Sequence, residues 1–168
     1  MTISMYQISV PIFVRQLTGL AGCLKKTQAL YASRKFDEAT LLGYRFFPDM
    51  FNFTKQVQIS CDHAKGCIAQ LAGVEAPRHE DNEKSLADLI ARVEKTIAFL
   101  NGIKAEQVDG SEDKTIIVKR KDAETKFTGV GLVQNRSMPH FYFHVTTAYN
   151  IMRHNGVEIG KKDFLAAS

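Results

Sequence analysis

His140 and His144 stand four residues apart in the stretch MPHFYFHVTTAYNIMRHN, whose composition and periodicity predict a helix. Four residues is about one helical turn, so both imidazoles project from the same face. Such a pair offers half of a tetrahedral or facial metal site, with the remaining ligands drawn from elsewhere in the fold. Position 141 is Phe rather than Glu, which removes the adjacent base of a metalloprotease motif. His144 shares a stripe with Phe141, Ala148 and Ile151, so a core histidine hydrogen-bonded to a neighbour is the competing account of it. His140 opens the helix and is expected to face solvent. His79, between Arg78 and Glu80, reads as a solvated loop residue, and His154 as a cation suited to the negative end of the helix dipole.

Other residues capable of chemistry form weaker patterns. Gly129 and Gly131 supply two glycines of a dinucleotide fingerprint, but position 134 is Gln and no long βαβ unit surrounds them, so a turn is expected. Lys114, Lys119, Arg120, Lys121 and Lys126 make a basic segment that Asp122 and Glu124 interrupt, which fits a solvated edge strand. Phe141, Tyr142, Phe143 and Tyr149 suit a core or a dimer interface better than a substrate cage. Cys61 would serve as a nucleophile only beside a base that depresses its pKa. No Ser-His-Asp arrangement can be picked out.

The elements that must position these residues follow from periodicity. Apolar residues at Val10, Phe13, Val14, Leu17, Leu20, Ala21, Leu24 and Leu30 predict a long first helix within residues 5–33, with Ser9 as candidate N-cap and Pro11 in the first turn. A short helical piece is expected over residues 36–42, then a stop and a new start at Pro48 and Asp49. A second long helix covers about 51–72, its stripe running through Phe53, Val57, Cys61, Ala64, Cys67, Ile68 and Leu71 to a closing Gly73. Residues 75–84 form a polar connection, and 85–101 a third helix buried through Leu86, Leu89, Ile90, Val93, Ile97 and Leu100. Between 103 and 135 the period changes, and residues 115–118 and 125–128 predict a hairpin with a charged turn at 119–124. A lone hairpin is not self-supporting, so it should lean on the helices. The fourth helix is expected over 139–154, with Pro139 in its first turn, followed by a short, partly packed tail.

With 168 residues, 45% of them apolar and 24% charged, the chain has the composition of one globular domain spanning 1–168 that needs no disulfide or metal to build a core. No window approaches the roughly 18 apolar residues of a membrane span, and the N-terminal apolar run, broken by Gln7, Ser9 and Pro11, does not read as a signal peptide. Cys23, Cys61 and Cys67 form an odd set without CxxC spacing, which points to reduced, buried thiols and a cytoplasmic protein. The net charge of +4 is scattered among acidic residues, so neither nucleic-acid nor membrane binding is expected.

The strings MYQISVPIFVRQL, FFPDMFNFTKQVQISCDHAKG, LAGVEAP, EKTIAFL and HFYFHVTTAYNIMRHNGVEIGKKDFL together resemble a bacterial domain-of-unknown-function family, number nineteen-ninety-three. That family is grouped with the DinB-like (YfiT-like) superfamily, and the similarity covers nearly the whole chain. The resemblance implies an all-α, DinB-like four-helix bundle with a small β-hairpin inserted before the last helix. It also implies a divalent metal, zinc or nickel, held by one His of the second helix and the His-x-x-x-His pair of the fourth, in an enzyme of thiol-dependent transferase or hydrolase type. His140 and His144 match that pair. His63 is the only second-helix histidine, but it lies about 100° from the centre of the inward stripe, so Asp62 and Cys61 stand as alternative ligands. A homodimer is the expected assembly. The competing expectation is a bundle that has lost the metal and binds a small molecule or a protein. Its pocket would be lined by Phe53, Val57 and Tyr149, with His144 and Arg153 as polar anchors.

Overall fold

The computed structural model describes residues 4–120 and 123–167, and it is a helical bundle carrying one two-stranded hairpin. Four long helices make the body: α1 (Val10–Arg34), α3 (Phe53–Ala72), α4 (Leu86–Asn101) and α7 (Met138–His154). Short helices α2 (Glu38–Leu42), α5 (Ala105–Val108), α6 (Gly129–Leu132) and α8 (Lys161–Phe164) fill the connections. Strands β1 (Ile116–Arg120) and β2 (Ala123–Phe127) pair antiparallel, with Ile116 opposite Phe127 and Val118 opposite Thr125. The strands reach further than expected: of the charged turn expected over 119–124, Lys119 pairs with Glu124 and Arg120 with Ala123, and the remaining Lys121 and Asp122 lie outside the described residues. Among those described, no helix is long and apolar enough to cross a membrane.

Local chemistry sets most of the ends. Ser85 accepts from the Asp88 amide at 3.1 Å, and Gly73 closes α3 with a φ of 70° that few other residues adopt cheaply. Two starts differ from the sequence reading. Ser9 occupies the N-cap position of α1, but its hydroxyl donates to the Met5 carbonyl at 2.6 Å instead of capping. Helix α3 begins not at Asp49 but after Asn52, whose side chain accepts from the Lys55 amide at 3.0 Å. The expected turn at Gly129 to Gly131 is also corrected. Thr128 caps α6 there, and α6 runs through a π-helical turn, Val133–Ser137, straight into α7. Gly129 is needed for closeness rather than for backbone angle, because a Cβ at that position would collide with the Ser111 carbonyl.

The core lies between the long helices. Phe13 of α1 meets Phe141 of α7 edge-to-face with ring centroids 4.8 Å apart, and both are fully buried. The hairpin leans on the bundle as expected, through buried Ile116 and Val118. The tail packs more closely than expected. Arg15 and Gln16 donate to the Leu165 and Phe164 carbonyls at 3.0 and 2.7 Å, and Lys26 pairs with Asp163 at 2.6 Å.

Candidate functional site

Helix α3 is covered on two sides, and each side carries its own polar row. Toward α7 it presents Gln56, His63 and Cys67, which meet His144, His140 and Ser137 respectively. These pairs run in opposite directions along the two helices, so α3 and α7 are antiparallel. Toward α4 and the 75–84 connection it presents Gln58, Asp62 and Lys65.

The first row brings three imidazoles together. The His63 ring lies 4.8 Å from that of His140 and 6.2 Å from that of His144, centroid to centroid, with interplanar angles of 30° and 13°. His144 is buried, and His63 and His140 are half-buried, so His140 is not the solvent-facing residue expected at a helix start. The Nδ1 of His140 lies 2.7 Å from the Arg136 carbonyl, and the Nδ1 of His144 lies 2.7 Å from Oε1 of Gln56. Burial foremost, then the neighbouring His140 and Arg136, pushes the His63 pKa down to about 4; burial also lowers that of His144. Both rings are therefore neutral at pH 7, the protonation state in which an imidazole can ligate.

The rings face one another rather than one centre. Among the described residues, no group of three or more His, Cys, Asp and Glu side chains is arranged as a metal cage. The donor set itself suits a borderline cation such as zinc or nickel: imidazole nitrogens, two of the rings with Nδ1 already committed to an oxygen.

The alternative second-helix ligands are otherwise engaged, although Asp62 lines a cavity together with His63. Asp62 shares one carboxylate oxygen between Arg92 at 2.9 Å and Lys65 at 3.2 Å, and Cys61 is fully buried with its pKa pushed by burial to about 11. Cys61 is thus a protonated core thiol rather than a nucleophile. Tyr149 and Arg153 do not converge on the histidines. The Tyr149 hydroxyl donates to the Ile159 carbonyl and Arg153 to the Val157 carbonyl, while Phe53 and Val57 are filled core positions. His154 is exposed at the end of α7, as expected, with its ring 5.7 Å from Tyr44 and 5.6 Å from Phe46.

Two cavities flank the imidazoles. One of about 240 Å³ is lined by Ile59, His63, Gly66, Val118 and Arg136, and one of about 310 Å³ by Val118, Thr125, Phe127, Asn135 and His140. Val118 belongs to both, so the hairpin forms a wall of the site, a role its sequence does not announce.

The second row contains a feature that sequence reasoning missed. Arg92, only 3% exposed, donates to Asp62 at 2.9 Å, Asp81 at 3.0 Å and Glu83 at 2.7 Å, tying the 75–84 connection to α3 and α4. His79 sits half-buried against this cluster instead of in open solvent, with its pKa lowered by burial first and then by Lys65 and Arg92. Burial alone would raise the Glu83 pKa, but hydrogen bonds from Arg92 and Gln58 overcome it and hold the carboxyl below its ordinary 4.5. Asp81 is held below its ordinary 3.8, chiefly by its hydrogen bond from Lys55. Because these folded-state values lie below the unfolded ones, the stability they contribute is complete above about pH 4.5 and is lost as pH falls through the folded values. Urea midpoints measured from pH 6 to pH 3 should therefore fall steeply only below about 4.5. A midpoint that stays level to pH 3 would show that the cluster adds nothing.

With the geometry in place, comparison with known proteins gives a consistent result. A family model described as a domain of unknown function, DUF1993, matches residues 5–165. The crystal structure of a DinB family member protein from Shewanella denitrificans superposes with a TM-score of 0.86 at 37% identity, covering 97% of this chain and 92% of that one. No curated protein matches the chain.

Proposed function

The chain belongs to the domain-of-unknown-function family DUF1993, and from that premise we propose that it is a metal-dependent enzyme, a thiol-dependent transferase or a hydrolase, with His63, His140 and His144 as ligands. The likeness to a DinB family member supports this reading. The observation that carries it is the meeting of three imidazoles from two helices far apart in sequence, two of them with Nδ1 engaged by an oxygen.

A zinc or nickel ion held there would supply Lewis acidity, lowering the pKa of a substrate thiol or water toward neutrality. The chain's own residues do the rest. The Arg136 carbonyl and the Gln56 amide orient two of the rings, and Val118 narrows the approach between the two cavities. Neutral His63 accepts a cation without first having to shed a proton at pH 7.

The test is a calorimetric titration of chelator-stripped protein with zinc and with nickel. One ion per chain, with a Kd of about 1 μM or tighter, is the expected result. Absence of binding by both ions leaves the second reading, a bundle that serves as a small-molecule or protein-interaction module. The face-to-face packing of the rings favours that second reading. We take the protein to be a cytoplasmic homodimer: exposed Tyr142 and Phe143 on α7 support the assembly, and three free, buried cysteines support the compartment.

A further inference from the structure

Gln56 is a buried polar residue that the ligand set does not use, and its amide has one chemically sensible orientation. Its Nε2 lies 3.1 Å from the Phe51 carbonyl, which can only accept, so Nε2 must be the end that faces it. Turning the amide over would set two acceptors against each other there. Oε1 is therefore committed to the other end, 2.7 Å from the Nδ1 of His144. An amide oxygen also only accepts, so that ring nitrogen must carry the proton. At 1% exposure Gln56 has no bulk water to substitute for either partner, so its buried oxygen depends on the ring N–H as donor.

We propose that Gln56 is a positioning residue that locks His144 in its Nδ1–H tautomer and so leaves the lone pair on Nε2, with the Phe51 carbonyl as the fixed point of the relay. The backbone thereby dictates which nitrogen of a side chain on another helix is available to a ligand. His140 receives the same instruction from the Arg136 carbonyl within its own helix. This deepens the metal reading and rests on it for its purpose, but the tautomer itself exists without metal.

The experiment is a long-range ¹H–¹⁵N correlation spectrum of the imidazole nitrogens in metal-free, ¹⁵N-histidine-labelled protein above neutral pH. His144 should show a protonated Nδ1 and an unprotonated Nε2, identified by loss of its signals in His144→Ala. In Gln56→Leu the Nδ1–H form should give way to a mixture of the two tautomers, and the cobalt or zinc affinity should fall by about 10–100-fold. Gln56→Glu, buried with one oxygen protonated toward the Phe51 carbonyl and the other accepting from the ring, should retain the Nδ1–H form. A protonated Nε2 in the wild-type spectrum overturns the proposal even if no variant folds. An unchanged tautomer in folded Gln56→Leu does so as well. Should the tautomer be as stated while the wild type binds no metal, the positioning role stands and the metal reading alone falls.

Discussion

Arg92→Leu should lower the unfolding free energy by about 3–5 kcal/mol, the largest stability loss expected of a single polar substitution among the described residues. The guanidinium hydrogen-bonds three carboxylates, two of which also pair with Lys55 or Lys65, so they are not equally dependent on it. The side chains of Asp62 and Asp81 remain 42% and 43% exposed and can be solvated without Arg92, whereas that of Glu83 is 7% exposed and cannot. Removal of the cation leaves the buried Glu83 carboxylate with neutral donors alone, the Gln58 amide 2.7 Å away and its own backbone N–H. In a chain of this length the loss corresponds to a drop in Tm of roughly 6–20 °C. A double variant, Arg92→Leu with Glu83→Leu, should recover a good part of it, because the buried charge disappears with its partner. Urea unfolding of the three proteins measures both effects. A single-variant loss below about 1 kcal/mol would mean that the cluster is solvated and holds nothing.

His63→Ala should weaken zinc or nickel binding by more than about 100-fold while leaving the fold intact, since losing a residue that only orients a ligand costs about 10–100-fold and this removes a ligand. The ring is half-buried at the edge of a 240 Å³ cavity, so its truncation enlarges existing space rather than opening a hole in the core. Asp62→Asn is the matching control. Its carboxylate serves Arg92 and Lys65, so metal affinity should be unchanged, with at most a modest loss of stability. Calorimetric titration beside far-ultraviolet circular dichroism separates binding from folding. If the Ala variant bound as tightly as wild type, the ligand set would lack a second-helix imidazole. If Asp62→Asn lost binding instead, the carboxylate would be the third ligand.

The bundle was legible because four apolar stripes of helical period are long and well separated, and period is the most physical signal a sequence carries. The His140 and His144 pair was legible for the same reason, as a spacing on one helix. His63 was harder to place because the stripe of α3 gives a single inward direction, whereas α3 is in fact covered by α7 on one side and by Arg92 and the 75–84 connection on the other. An angle measured from the stripe's centre cannot tell which flank a neighbouring helix will occupy. One signal pointed the right way: Gln56, Ser60, His63 and Cys67 follow one another at spacings of four, three and four, a second row beside the apolar one. The partners of Arg92 were out of reach, since they come from a loop with no periodicity and meet only in three dimensions. The role of Val118 was equally hidden, because strand alternation says which residues turn inward but not what they turn toward.

The π-helical turn from Val133 to Ser137 carries one more residue than an α-helical turn. That extra residue is taken up within the turn, so deleting one residue there would let the segment close as ordinary α-helix and leave α7 near its present rotational setting. The same deletion one turn later, inside α7, meets no such slack: everything beyond it would turn by about 100°, carrying Phe141 off Phe13 and the imidazoles off the α3 seam. The turn is thus a place where a change in chain length is absorbed before it reaches the donors.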